Sequence, residues 1–181
     1  MLRTTLAALA LVAFVPVAAL PVAAWAHGPT RQKVVQTVEI NAPADKVWAV
    51  IGNFQDMSWH PAIAKTEGSG GSAPGAKRTL TLKPGGTIDE SLTAYAADTK
   101  GLSYEITNVD VKTLPVSNYS SSIRVTGEGS KSTVEWKGAF YRGFVNNDPP
   151  PELSDEAAVK AVTGVYRAGL DALKAKLEAG G

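Results

Sequence analysis

Arg78 and Glu90 are the pair whose types and spacing most invite chemistry. They flank Lys83-Pro84-Gly85-Gly86, where a Gly-Gly turn between two alternating apolar segments predicts a hairpin. A register that pairs Leu82 with Ile88 sets Leu80 opposite Glu90 and leaves Arg78 diagonal to it. Ile88, Glu90 and Leu92 then share one inward face. An acid between two inward aliphatics is costly to bury unless it is paired or protonated. Two readings follow: a structural ion pair with Arg78 at the floor or rim of a cavity, or a ligand-binding or acid/base group.

The chain has two histidines. His60 lies between Trp59 and Pro61, and its ordinary pKa suits proton transfer. Catalysis requires a partner at hydrogen-bond reach, so a packed or capping histidine is the competing reading. His27 offers an imidazole beside a free amine if the chain is cut before it, a pair that chelates Cu(II), but a stable site needs further ligands. The expectation is therefore no metal and no cofactor, with His27 heading a tail through Gly28-Pro29. Trp48, Trp59, Tyr104, Tyr119, Trp136 and Phe140 form an aromatic set. Such side chains either fill a core or line a cavity for an apolar or aromatic ligand. Ser120-Ser121-Ser122 has no nearby histidine to make a nucleophilic triad. Gly68 to Gly75 lies between strands and so is no phosphate loop. The candidate cavity or ligand-binding residues are Trp59, His60, Arg78, Glu90, Tyr104, Tyr119, Trp136 and Phe140, with no catalytic set.

The elements that must position them are mostly strands. Alternation marks Val34, Val38 and Ile40; Leu80 and Leu82; Ile88 and Leu92; Leu102, Tyr104 and Ile106; Tyr119, Ile123 and Val125; and Val134, Trp136 and Phe140. About six or seven antiparallel strands result. Helical spacing appears from Pro43, through Val47, Val50, Ile51 and Phe54, with Gly52 as the stop. A second short helical turn is predicted from Phe54 to Trp59, ending before Pro61. The longest helix starts at Ser154-Asp155-Glu156 and carries Val162, Val165, Gly169, Leu170, Leu173 and Leu177 on one stripe. Acids at its start and Lys174 and Lys176 near its end suit the helix dipole. The class is α+β. Only the last helix is long enough to cover the apolar face of the sheet, and a curved sheet wrapped around it leaves a space for a ligand.

Met1-Leu2-Arg3, an apolar run from Leu6 to Ala24 and the site Ala24-Trp25-Ala26 have the three parts of a cleavable secretory signal. Pro16 and Pro21 argue against an anchoring helix. Cleavage after Ala26 exports a chain that starts at His27 into the periplasm, leaving 155 of the 181 residues as one domain, 27–181. The signal removes Arg3 and no acid, so 17 Lys plus Arg face 17 Asp plus Glu. Such balance provides no global field for nucleic acid. The absence of cysteine excludes disulfides, Cys-ligated clusters and CxxC haem attachment.

The stretch Val38-Glu39-Ile40-Asn41-Ala42-Pro43-Ala44-Asp45-Lys46-Val47-Trp48, followed by Trp59-His60-Pro61, resembles the opening of the helix-grip superfamily of Bet v 1-like, START and polyketide cyclase/dehydrase-like domains. Glu90-Ser91-Leu92-Thr93, Leu114-Pro115-Val116-Ser117-Asn118-Tyr119 and Val134-Glu135-Trp136-Lys137-Gly138-Ala139-Phe140 are similar to its sheet. The resemblance covers essentially all of the expected mature chain. It implies a curved antiparallel sheet gripping a long C-terminal helix, with two short helices after the first strand. It leaves function open, because this fold hosts carriers, receptors and enzymes. Within it, the signal, the size and the Trp-His-Pro and Tyr-Ser-Ser segments resemble the periplasmic accessory proteins of methanol oxidation, the MxaD group. That likeness implies a non-enzymatic role, with methanol dehydrogenase and its cytochrome c as partners. The alternatives are a cavity-based carrier of lipid or small molecules and a cyclase or dehydratase-like enzyme using Glu90 and His60. Few titratable residues fall on inward positions, which favours binding over catalysis.

Overall fold

A computed structural model describes residues 28–179. The expected signal peptide, its cleavage site and His27 lie outside the described residues. The elements in chain order are β1 (Gln32–Ile40), α1 (Ala44–Ile51), β2 (Ile63–Ser69), β3 (Lys77–Leu82), β4 (Thr87–Ala96), β5 (Gly101–Val109), β6 (Val116–Glu128), β7 (Lys131–Arg142), a 3-10 turn (Pro151–Leu153) and α2 (Asp155–Glu178). The seven strands form one antiparallel sheet in the order β1-β7-β6-β5-β4-β3-β2. This is the α+β helix-grip arrangement, with α2 laid across β1 and β7. Among the described residues no helix is long and apolar enough to cross a membrane.

Alternation decides the sheet's inner face. Val34 and Ile40 of β1, Leu102 and Tyr104 of β5, and Val134, Trp136 and Phe140 of β7 are buried, whereas their odd-parity neighbours face out. β2 has no such pattern, its sequence Ile-Ala-Lys-Thr-Glu-Gly-Ser being half-exposed or exposed throughout. It is a strand because β3 pairs with it.

The β3–β4 register differs from expectation by two residues. Arg78 stands directly opposite Glu90, and Leu80 opposite Ile88. The turn is tighter than a Leu82–Ile88 pairing requires: Leu82 N–H donates to Gly86 O (3.1 Å) and Gly85 N–H to Leu82 O (3.0 Å), with both glycines at positive φ. Leu82 therefore pairs with Ile63 of β2 and not with Ile88. A two-residue shift preserves parity, so Arg78 and Glu90 remain on the inner face.

The second short helix expected from Phe54 to Trp59 is absent; α1 is the single helix between β1 and β2, and two tight turns follow it. Asn53 Oδ1 accepts from Gln55 N–H (3.0 Å), and Asp56 Oδ1 from Ser58 N–H (2.8 Å). These side chains satisfy amides locally and so compete with a helical ladder. The turns still bury Phe54, Met57, Trp59 and His60 against the sheet.

Helix α2 begins at Ser154, whose Oγ accepts from Ala157 N–H (3.2 Å). Its buried stripe is Ala158, Val162, Tyr166, Gly169, Leu170 and Leu173. Two of its cations cover the free edge of β1: Arg167 donates to Thr37 O (2.9 Å) and Lys174 to Glu39 O (2.7 Å). Gly169 lets the helix lie close, since a Cβ there would meet His60 Cδ2 at 2.5 Å and Trp136 at 2.9 Å; at Gly164 it would meet nothing.

The two helix glycines should respond oppositely to alanine. Gly164→Ala should stabilise by about 0.5–1 kcal/mol through helix propensity alone. Gly169→Ala should destabilise by roughly 1–3 kcal/mol, because overpacking against two rings outweighs the same propensity gain. Urea denaturation of both variants checks this, and equal effects would mean that α2 does not approach the sheet so closely.

Candidate functional site

Between the sheet, the 57–63 segment and α2 lies a cavity lined by Met57, His60, Ile63, Leu80, Leu82, Ile88, Glu90, Tyr104, Ile106, Leu114, Tyr119, Trp136 and Val165. It measures about 50 Å³ for the centres of water-sized spheres. One water needs roughly 10–15 Å³ by this measure, so the space suits a few waters or an organic fragment of a few heavy atoms. Aromatic side chains fill much of the space expected between sheet and helix and leave this small cavity. Of the candidate residues, His60, Glu90, Tyr104, Tyr119 and Trp136 reach the cavity wall. Trp59, Arg78 and Phe140 are buried but do not line it.

Glu90 is the charged group on that wall. Its Oε2 accepts from Arg78 Nε (2.6 Å), and both side chains are almost fully buried. Arg78 also donates through Nη1 to Phe54 O (2.8 Å) and lies over the rings of Phe54 (4.1 Å) and Tyr104 (5.2 Å). Direct opposition in the β3–β4 ladder brings the two together. Burial raises the pKa of Glu90 above the usual carboxylate range, and the guanidinium opposes that rise.

His60 has both ring nitrogens engaged. Nδ1 accepts from Ala62 N–H (3.2 Å), which makes Nε2 the donor to Val165 O (3.0 Å) on α2. Burial lowers its pKa below 6.5 against the opposing pull of that carbonyl. The neutral ring thus ties the turn before β2 to the helix.

A third cluster joins three tyrosines, a serine and a tryptophan. Tyr166 Oη and Tyr119 Oη are 2.5 Å apart, and Ser121 Oγ lies 3.0 Å from Tyr166 Oη. Trp136 Nε1 donates to both Tyr104 Oη and Ser121 Oγ (3.0 Å each), while its ring stacks on Tyr166 at 4.4 Å. Ser121 Oγ donates to Lys137 O (2.8 Å). Burial pushes Tyr104 up to about 12, and Tyr119 and Tyr166 upward as well, so all three remain neutral hydroxyls. Sequence reasoning missed Tyr166 and Ser121. The spacing of Tyr166 from Val162 and Leu170, four residues each way, was the available signal. For Ser121 it was parity, since it sits between Tyr119 and Ile123 on the inward face of β6. Among the described residues no group of three or more His, Asp or Glu side chains is placed to hold a metal ion.

Residues 31–178 match the family model described as polyketide cyclase / dehydrase and lipid transport. The chain belongs to this family. Among solved structures it is similar to an uncharacterised protein from Bacillus thuringiensis, with 32% identity and a TM-score of 0.69, covering 81% of this chain and 98% of that one. It is also similar to the protein XoxI from Bacillus cereus, with 32% identity and a TM-score of 0.68 over 80% of this chain and 94% of that one. Norcoclaurine synthase from Thalictrum flavum, solved with dopamine and hydroxybenzaldehyde, shares the fold at 18% identity, with a TM-score of 0.61 over 81% and 86% of the two chains. None of the curated proteins matches.

Replacing Arg78 with Leu should cost about 3–5 kcal/mol near neutral pH, because it strands a buried acid. Glu90→Gln should cost less, since Arg78 keeps its carbonyl and two rings. With Arg78 gone, the raised folded pKa of Glu90 makes the stability of Arg78→Leu greatest below 4.5 and lost as pH rises through that folded pKa. Urea melts from pH 4 to 8 would contradict this if the penalty were the same at every pH.

His60 should impose the opposite slope. Its folded pKa lies below 6.5, so its contribution is present above 6.5 and lost as pH falls through the folded value. The wild type should therefore lose stability on acidification below 6.5, and His60→Gln should flatten the part of the profile that precedes carboxylate titration. An unchanged profile in that variant would mean the ring is not held neutral.

Proposed function

We propose that the protein is a non-enzymatic binding component, exported to the periplasm, that assists electron transfer from a methanol dehydrogenase to its cytochrome c. The observation that carries the non-enzymatic part is that the titratable side chains around the cavity already have partners. Glu90 is paired with Arg78, both nitrogens of His60 are bonded, and the tyrosine hydroxyls bond one another. A general base needs a substrate within hydrogen-bond reach, and a cavity of about 50 Å³ has no room for a polycyclic substrate. The periplasmic site of action rests on the signal-like first 26 residues, and the choice of partners on the whole-domain likeness to the accessory proteins of methanol oxidation. A balanced surface charge suits a transient helper that must meet two partners and leave both.

A second reading, small-molecule binding, is favoured by the nearly apolar cavity wall with one carboxylate in it. Cytochrome c reduction by methanol dehydrogenase, followed with and without this protein, separates the two. The protein alone should turn over nothing, and its addition should speed reduction. Salt should weaken a stimulation that runs through surface contacts, since exposed charges are screened beyond roughly 10 Å at 0.1 M. No stimulation at any ionic strength would defeat the accessory reading. Stimulation that resists salt but disappears in Glu90→Gln would move the mechanism into the cavity.

A further inference from the structure

The sheet is not continuous. β5 and β6 pair from Gly101 with Arg124 to Glu105 with Ser120, and there the pairing stops. Beyond that point β5 stays with β4, while β6 stays with β7. The cause is a bulge: between Ser117 and Ser120, two β6 residues oppose one of β7, and Asn118 takes a left-handed conformation at φ +45°. Asparagine tolerates that conformation better than other non-glycine residues. The bulge bends β6 away and turns Tyr119 inward, onto Tyr166.

The result is a cleft of about 260 Å³ between residues 106–109 and 116–119. Ile106 and Tyr119 are walls of both this cleft and the internal cavity. Those two side chains stand where the spaces meet, and no β5–β6 ladder hydrogen bond has to break for the boundary to open. The two spaces differ in chemistry. The cavity wall is almost wholly apolar, whereas the cleft mixes Thr107, Asn108, Ser117 and Asn118 with valines and carries no charged side chain. Asp89 bonds Asn108 Nδ2 (3.1 Å) next to the cleft, and hydrogen bonds hold its pKa below the usual carboxylate value, which disfavours an anion there.

We propose that cleft and cavity form one ligand site, entered through the sheet between β5 and β6, for a small uncharged amphiphile. The apolar end occupies the cavity, and a head that donates and accepts hydrogen bonds, such as an amide, stays in the cleft among main-chain groups that the split leaves free. This holds whether or not the protein assists methanol oxidation.

Hexanamide and hexanoate are suitable probes, titrated against the protein with amide chemical shifts and Trp136 fluorescence as readouts. Hexanamide should shift residues 106–109 and 116–119 together with cavity residues, and hexanoate should bind at least about tenfold more weakly. Because the chain has no cysteine, Thr107→Cys can be alkylated with a bulky maleimide to fill the cleft alone. Alkylation should weaken hexanamide binding at least about tenfold relative to the unmodified Thr107→Cys protein. The same treatment of Ala64→Cys, on exposed β2, should change nothing. Three results would overturn the proposal: no hexanamide binding, cavity shifts without shifts in the two cleft walls, or unchanged affinity after Thr107→Cys is alkylated.

Discussion

Everything inside this protein depends on how closely α2 lies against the sheet. Two glycines permit the approach. Gly169 leaves room on the helix for His60 and Trp136, and Gly138 leaves room on β7 for the Tyr166 hydroxyl, which a Cβ there would strike. With the helix this close, the Tyr166 ring stacks on Trp136 and its hydroxyl reaches Tyr119 and Ser121. A helix one side chain further away would leave several buried polar groups without partners, each costing about 1–3 kcal/mol. Close packing and hydrogen bonding are therefore one constraint here.

That constraint determines what the interior can do. The fold brings an acid, an imidazole and three phenols to one side of one sheet, a set that looks reactive in a sequence. Each is then engaged by a neighbour: Arg78 on the adjacent strand, a helix carbonyl, another hydroxyl. Low dielectric strengthens such networks and penalises any member left free. The consequence is an interior whose polar side chains hold one another and whose open space is small.

The sheet's free edges and its split show where the same economy is relaxed. α2 covers β1 with Arg167 and Lys174, whereas β2 is blunted by Lys65, Glu67 and an irregular register. The bulge at Asn118 serves two ends at once: it aims Tyr119 into the hydroxyl cluster and parts β6 from β5. A strained turn that completes the core thereby also opens the surface.

Local pattern was enough to reveal the α+β class, the long C-terminal helix with its serine cap, the inward parity of Tyr119 and Trp136, and the meeting of Arg78 with Glu90. Those follow from periods of two and 3.6 and from the cost of burying an unpaired charge. The sequence by itself also determined the near-zero charge and the lack of thiols. Tertiary structure alone decided the rest. Edge strand β2 has no periodicity and exists only because β3 pairs with it. The hairpin register depended on whether Leu82 closed the turn or faced Ile88, a choice made by Ile63 from a strand that local pattern does not mark. The turns after α1 replaced a helix because Asn53 and Asp56 found nearer amides. Tyr166 and Ser121 became partners through a contact 45 residues apart in the chain, and the size of the cavity depends on how closely the helix lies against the sheet. Periodicity reports which face a residue occupies; it does not carry the distance between two faces, and that distance is what separates a filled core from an open site.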